Sequence, residues 1–202
     1  MCYKPRLAIG KGGGGEIPEG LDYDLWCGPA DLKVPLGREK FHYDWHWIYE
    51  YGNGDMGNQG IHQMDVARWY LGESQIAPRT VSIGGRLGYD DDGETPNTQL
   101  VWHDYDAAPL IFETRGLPRG KEFHDGKLWA KNMDTPDEFP DEVGISVVVV
   151  CEGATIYTSA GGQVKVKDSE GEEMEAPQPN ETENIFENFI SAVRIRNHKD
   201  LY

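Results

Sequence analysis

The stretch GDMGNQGIHQMDVARWYLG, Gly54 to Gly72, constrains the fold more than any other part of the chain. A glycine-rich approach runs into a single amphipathic helix. Its predicted span is about Asn58 to Leu71, with Gly72 at the left-handed position that ends helices. At about 100° per residue, Gly60, Met64, Ala67 and Leu71 share one side and need a core to pack on. Asn58, His62, Asp65 and Trp69 fall in a narrow arc roughly opposite. A face of Asn, His, Asp and Trp is expected to be the floor of a polar site, with His62 at its centre. Asp65 and Arg68, three apart, can pair along the helix.

Beyond the helix the period changes from helical to alternating. Arg79–Arg86, Gln99–Tyr105, Pro109–Arg115, Gly144–Cys151, Ala154–Ser159 and Gln163–Lys167 each read as a strand. The connections at Asp106-Ala107-Ala108, Glu152-Gly153 and Gly161-Gly162 are too short for a crossover, so these neighbours are antiparallel. Lys121–Asp141 has no clean period and reads as a long loop. A second helix is predicted over Asn180–Arg196, with Asn180 as cap, acidic residues in the first turn and Arg194 and Arg196 near the end. Ile185, Phe186, Phe189, Ile190 and Val193 would form its buried stripe. The sum is an α+β fold: an open, mostly antiparallel sheet with helices on one face. The other face is either solvated or paired with a second copy. Its Ile, Val and aromatic content makes a homo-oligomer the expected partner.

With 202 residues the chain can bury one good domain, and its 38% hydrophobic and 11% aromatic content is that of a globular protein. A formal charge of −16 argues against nucleic acid and anionic membrane surfaces as partners. There is no apolar run of the ~18 residues that a membrane span needs. No signal-peptide pattern opens the chain, so a cytoplasmic location is the default, with an export signal possible upstream. Cys2, Cys27 and Cys151 are too far apart for a disulfide framework or a CxxC zinc site.

The glycine run Gly12–Gly15 beside Lys11 has the wrong spacing for a phosphate loop, and no amphipathic helix follows it. Glu16–Gly37 is irregular, anchored by Leu25, Trp26 and Cys27 before a turn at Gly28-Pro29. If Phe41–Trp47 is extended, alternation sets Phe41, Tyr43, Trp45 and Trp47 on one side and His42, Asp44 and His46 on the other. Such a strip brings flat rings and polar tips to one neighbourhood. His42 and His46 have metal-ligand spacing only on a helix, so no metal is expected there. The acidic run Asp90–Glu94 lacks the D-x-D-x-D-G spacing of a calcium loop and reads as a solvated connection.

Four blocks together, YDLWCGPA, FHYDWHW, YGNGDMGNQGIHQMDVARW and GGRLGYDDDGETPNTQ, resemble the C-terminal domain of the Gfo/Idh/MocA family (glucose–fructose oxidoreductase, inositol dehydrogenase and relatives). They cover Tyr23 to Gln99, and the later strands and helix fit the same domain. The resemblance implies a two-domain parent. Its Rossmann half binds NAD or NADP, and its C-terminal half supplies the substrate floor and the oligomer interface. The family's GxGxxG and E-K-P motifs do not occur here. Tyr3-Lys4-Pro5 imitates the latter in letters, yet the segment resembles the strand leaving a Rossmann half, so that lysine is not carried over to Lys4. Residues 1–15 are therefore expected to be a remnant strand and loop. Residues 16–202 are expected to be the substrate-binding and oligomerisation domain, truncated at its C-terminus. No cofactor is expected on this chain alone.

His62 falls where the resemblance places the family's catalytic histidine, as general base toward a sugar or polyol hydroxyl. Asn58 stands where many members have Asp. An amide can position substrate or His62 but cannot take a proton. Asp65 would support His62, Trp45 or Trp47 would stack on a sugar's C–H face, and His46 and Asp44 would meet its hydroxyls. Two rivals remain: half of an NAD-dependent redox glycosidase, and a non-catalytic carbohydrate-binding or oligomerisation module.

Overall fold

A single helix spans two antiparallel sheets. The computed structural model describes residues 8–12, 15–31, 36–116, 145–176 and 184–198. The first sheet holds β1 (Arg79–Gly85), β2 (Thr98–Asp104) and β3 (Leu110–Arg115), in that order. The second holds β4 (Ser146–Val150), β5 (Ala154–Ser159), β6 (Val164–Asp168) and a short β7 (Glu173–Met174) that the alternation did not reveal. Every pairing is antiparallel. The fold is α+β and open, as the pattern predicts, although the strands divide into two sheets rather than one. The predicted loop Lys121–Asp141 lies outside the described residues.

The spanning helix, α3 (Ile61–Leu71), follows directly from a π-helical turn, Met56–Gly60. Met56, Met64, Ala67 and Leu71 pack on Ala77, Val101, Tyr105, Leu110 and Phe112, the core of the first sheet. Gly60 is required here by close approach: a Cβ would lie 2.6 Å from Phe112 Cζ. Tyr70 Oη hydrogen-bonds Thr158 Oγ1 on β5 at 2.7 Å, tying the helix to the second sheet. Gly72, at φ 70°, closes the helix, and the Glu73 N–H donates back to the Arg68 carbonyl at 3.0 Å.

The outward face of the first sheet is largely apolar, with Glu113 beside Leu100 and the pair Arg79–Asp104 at one end. Val81, Trp102 and Ile111 form one cross-strand row, and Ile83 and Leu100 lie beside it. All five are exposed.

A second core gathers Leu36, Phe41 and Ile48 with Tyr23, Trp26, Trp45 and Tyr51. Its elements are α1 (Tyr23–Cys27), capped by the Asp22 carboxylate, α2 (Phe41–Asp44), and a 3-10 turn at Trp45–Trp47. Leu25 does not anchor the segment as expected: α1 turns it outward, 78% exposed, while Cys27 is buried.

The acidic run is not simply solvated. Asp91 pairs with Arg86 and accepts the Ile9 N–H at 2.8 Å, and Asp92 pairs with Arg38 at 2.9 Å. These carboxylates clamp residues 9–12 against the rest of the chain. The last helix, α4 (Ile185–Ile195), is capped by Asn184, whose side chain accepts the Phe186 N–H; Asn180 lies outside the described residues. Its predicted buried stripe is exposed at Ile185, Phe186, Phe189, Ile190 and Val193, and the helix buries Asn188 and Ala192 instead. Among the described residues no helix is long and apolar enough to cross a membrane.

Candidate functional site

Packing of Gly60, Met64, Ala67 and Leu71 on the first core turns the opposite side of α3 outward. His62, Asp65 and Trp69 are all exposed there, Trp69 at 72%. Asn58 is half-buried and lies within the π-helical turn that leads into His62. Such turns take one extra residue per hydrogen-bonded ring, cost helical regularity, and occur often at functional sites. Between the two faces, Gln59 Nε2 donates to the buried Gln63 at 3.2 Å. No ion pair among the described residues joins Asp65 to Arg68 as expected, and Arg68 Nε is buried without a hydrogen-bond partner.

The strip Phe41–Trp47 is helical, not extended. A period near three replaces alternation, so its expected two-sided arrangement is lost. Phe41, Asp44 and Trp47 turn inward together. Trp47 is 2% exposed and cannot present a face to a ligand. Asp44 is equally unsuited to meet a sugar hydroxyl: it is buried, and its Oδ2 accepts from Arg38 Nε at 3.1 Å. Sequence alternation missed this because Arg38, its partner, lies before the strip. Arg38 also donates to Asp92 and to the carbonyls of Ile9 and Gly10. Trp45 and His46 remain half-buried, their rings stacked with centroids 3.8 Å apart. His46 Nδ1 lies 2.6 Å from the Tyr43 carbonyl. The helical form does give His42 and His46 the spacing of a ligand pair. Among the described residues, however, no group of three or more His, Cys, Asp or Glu side chains could hold a metal ion.

Among the described residues of the glycine run, the donors that a dinucleotide phosphate would need are already engaged. A phosphate needs free backbone N–H groups at a glycine loop or helix N-terminus. Here the Gly12 N–H donates to Asp92 Oδ2 and the Ile9 N–H to Asp91 Oδ2, so carboxylates already occupy these donors. Arg38 fills the space beside Gly12 and Gly15.

A cavity of about 290 Å3 lies apart from α3, lined by Trp26, Cys27, Pro29, Trp45, Glu50 and Tyr51 among others. A larger apolar groove, about 680 Å3, runs between α3, β3 and β4 on the core side of the helix. Neither takes in Asn58, His62 or Asp65. Of the residues predicted as a site, the structure brings Asn58, His62 and Asp65 to one helix. Trp45 lines the smaller cavity instead.

A family model described as "Oxidoreductase family, C-terminal alpha/beta domain", of the Gfo/Idh/MocA group, matches residues 12–137. No curated protein sequence matches the chain. Among solved structures, it is similar to an oxidoreductase from Agrobacterium radiobacter in complex with NAD+, L-tartaric acid and magnesium. The likeness has 15% identity and a TM-score of 0.42, over 72% of this chain and 40% of that one. With more than half its length matched by the family model, the chain belongs to the Gfo/Idh/MocA oxidoreductase family, and the matched part is that family's C-terminal alpha/beta domain.

Proposed function

We propose that the chain is the substrate-binding half of an NAD(P)-dependent oxidoreductase acting on a sugar or polyol hydroxyl. The observation that carries this reading is the place of His62. Its imidazole is exposed in the first turn of α3, directly after a π-helical turn that contains Asn58. Histidine changes charge near neutral pH and suits removal of a hydroxyl proton. Asn58 would orient the substrate by a hydrogen bond, and Asp65, one turn on, would support the imidazole. The hydride acceptor would be held by a separate dinucleotide-binding domain, as the family resemblance implies; the Ile9 and Gly12 N–H groups here already donate to carboxylates.

Saturation-transfer NMR of the chain against a panel of sugars and polyols tests the binding half of this reading. The expected result is signal from at least one polyol, lost in His62→Ala and weakened in Asn58→Ala. Equal signal in both variants would overturn it. The chemical half is tested by turnover of the chain joined to whatever polypeptide precedes it in its reading frame. Unchanged turnover in His62→Ala there would remove the general-base role.

We also propose self-association through the outward face of the first sheet. Two chains each carrying −16 repel one another, so a stable contact needs a surface free of that charge. The rows Val81–Trp102–Ile111 and Ile83–Leu100 supply an apolar patch, bordered by Glu113 beside Leu100 and by the internally neutralised pair Arg79 with Asp104.

A further inference from the structure

The cavity beneath α1 does not belong to the His62 face, and its walls have a chemistry of their own. Trp26, Trp45 and Tyr51 supply three aromatic rings, and among the described residues lining the cavity Glu50 supplies the one charged group. Glu50 is exposed, and its Oε2 accepts the Asp31 N–H at 3.4 Å, which sets the carboxylate at the rim. The rings are held by their neighbours: Trp26 packs on Phe41 at 4.8 Å between centroids and on Tyr51 at 5.2 Å. The Tyr51 hydroxyl is shared with Tyr23 at 3.1 Å, and Tyr23 in turn accepts the Leu36 N–H. Burial and the Tyr23 hydrogen bond push the Tyr51 phenol above its ordinary pKa, so it stays neutral at every ordinary pH. Cys27 closes the inner side as a buried free thiol.

Each class of occupant meets this wall differently. An anion would face Glu50 inside a strongly acidic protein. A neutral apolar group would fill the aromatic space but leave the rim carboxylate without a charge to pair with. A sugar needs several hydrogen-bonding partners, and the phenol of this wall is already engaged with Tyr23. An alkylated ammonium ion satisfies both components at once. Its positive charge lies against the electron-rich ring faces and pairs with the carboxylate, while its methyl groups fill an apolar space. A volume of about 290 Å3 suits a group of that size.

We infer that the cavity formed by Trp26, Trp45, Tyr51 and Glu50 is a binding site for a small alkylated ammonium cation of the choline type. The site is independent of the His62 reading and stands or falls separately from it.

The test titrates the purified chain with choline chloride at constant ionic strength, read by saturation-transfer NMR on the methyl signal. The neutral isostere 3,3-dimethylbutan-1-ol and methyl β-glucoside run as parallel arms. Choline is expected to saturate, with the neutral isostere about tenfold weaker. Glu50→Gln and Trp45→Leu should each weaken choline by about the same factor. Trp45 touches the second core, so its variant is read only with an unchanged circular-dichroism spectrum. Glu50 is exposed, and its variant decides the matter alone if Trp45→Leu unfolds. Absence of saturation, equal binding of the isostere, preferential binding of the glucoside, or unchanged affinity in Glu50→Gln would each overturn the proposal.

Discussion

Asp44 and Arg38 show how much one residue's meaning depends on a neighbour that sequence order hides. Both are about 5% exposed and bonded at 3.1 Å. A buried pair adds little net stability over an apolar one. Without Asp44, Arg38 keeps Asp92 and two backbone carbonyls, so the cost is that of one lost charge-assisted hydrogen bond, about 1.5–3 kcal/mol. Asp44→Ala is therefore expected to lower the unfolding free energy by about that amount, measured as the urea midpoint at constant slope. Ligand signals from the folded fraction should not change. A selective loss of sugar or polyol binding with full stability would restore Asp44 as a substrate residue. Asp44 was visible in the sequence as a polar tip, but its direction was not, because direction depended on whether the strip was strand or helix. His62 differs: both the helical period and the family resemblance pointed to it, and the structure leaves it exposed.

At the scale of elements, α3 was the most legible part of the chain. The residues expected to face the core do so, and Gly72 ends the helix as its type suggests. The π-helical turn was not legible, since no residue type marks it. Gly60 shows the physical reason for its small side chain. Gly60→Ala would force a Cβ against Phe112, and overpacking of this kind costs about 1–3 kcal/mol. Thermal or urea unfolding should show that loss, and an unchanged midpoint would mean that the ring moves aside freely. The sheet's outward face carries a prediction of a different kind. The wild-type chain should run as a dimer or larger species in light-scattering chromatography. Trp102→Glu should give a folded monomer, since it places a charge in the middle of the apolar rows, on the central strand. A monomeric wild type would end the self-association proposal.

At the scale of the whole molecule, the clamp between residues 9–12 and the acidic run links pH to stability. Burial raises the Asp91 carboxyl, but the Arg86 hydrogen bonds, the Ile9 and Gly93 N–H groups and the Arg86 charge outweigh it, and its pKa ends below the ordinary value. The unfolded chain then binds the proton more readily, so this stabilisation is present above about pH 4 and is lost as pH falls through the lower folded value. Burial also lowers the pKa of His103, whose Nε2 is enclosed without a partner. Its neutral form is favoured in the fold, a contribution present above about pH 6.5 and lost on acidification below that. Denaturation midpoints taken from pH 7.5 down to about pH 2 should fall in two stages. His103→Gln should remove the upper stage and Asp91→Asn the lower one. A variant whose curve keeps its parent's shape would clear that residue of the role.

By itself the sequence determined β1 to β6, α3, α4 and the family, though not α1, α2 or β7, because local periodicity and a run of specific motifs carry that information within a few residues of each position. It also determined that α3 has an apolar and a polar side. The tertiary structure decided what each side meets. The stripe of α4, apolar by the same logic, is exposed instead of buried. The acidic run is a clamp because Arg38 and residues 9–12 come to it from far away in the chain. The aromatic strip contributes Trp45 to a cavity because α1 and Tyr51 fold against it. Periodicity fixes which residues share a face, whereas what covers that face depends on contacts between residues far apart in the chain, and no local pattern encodes those.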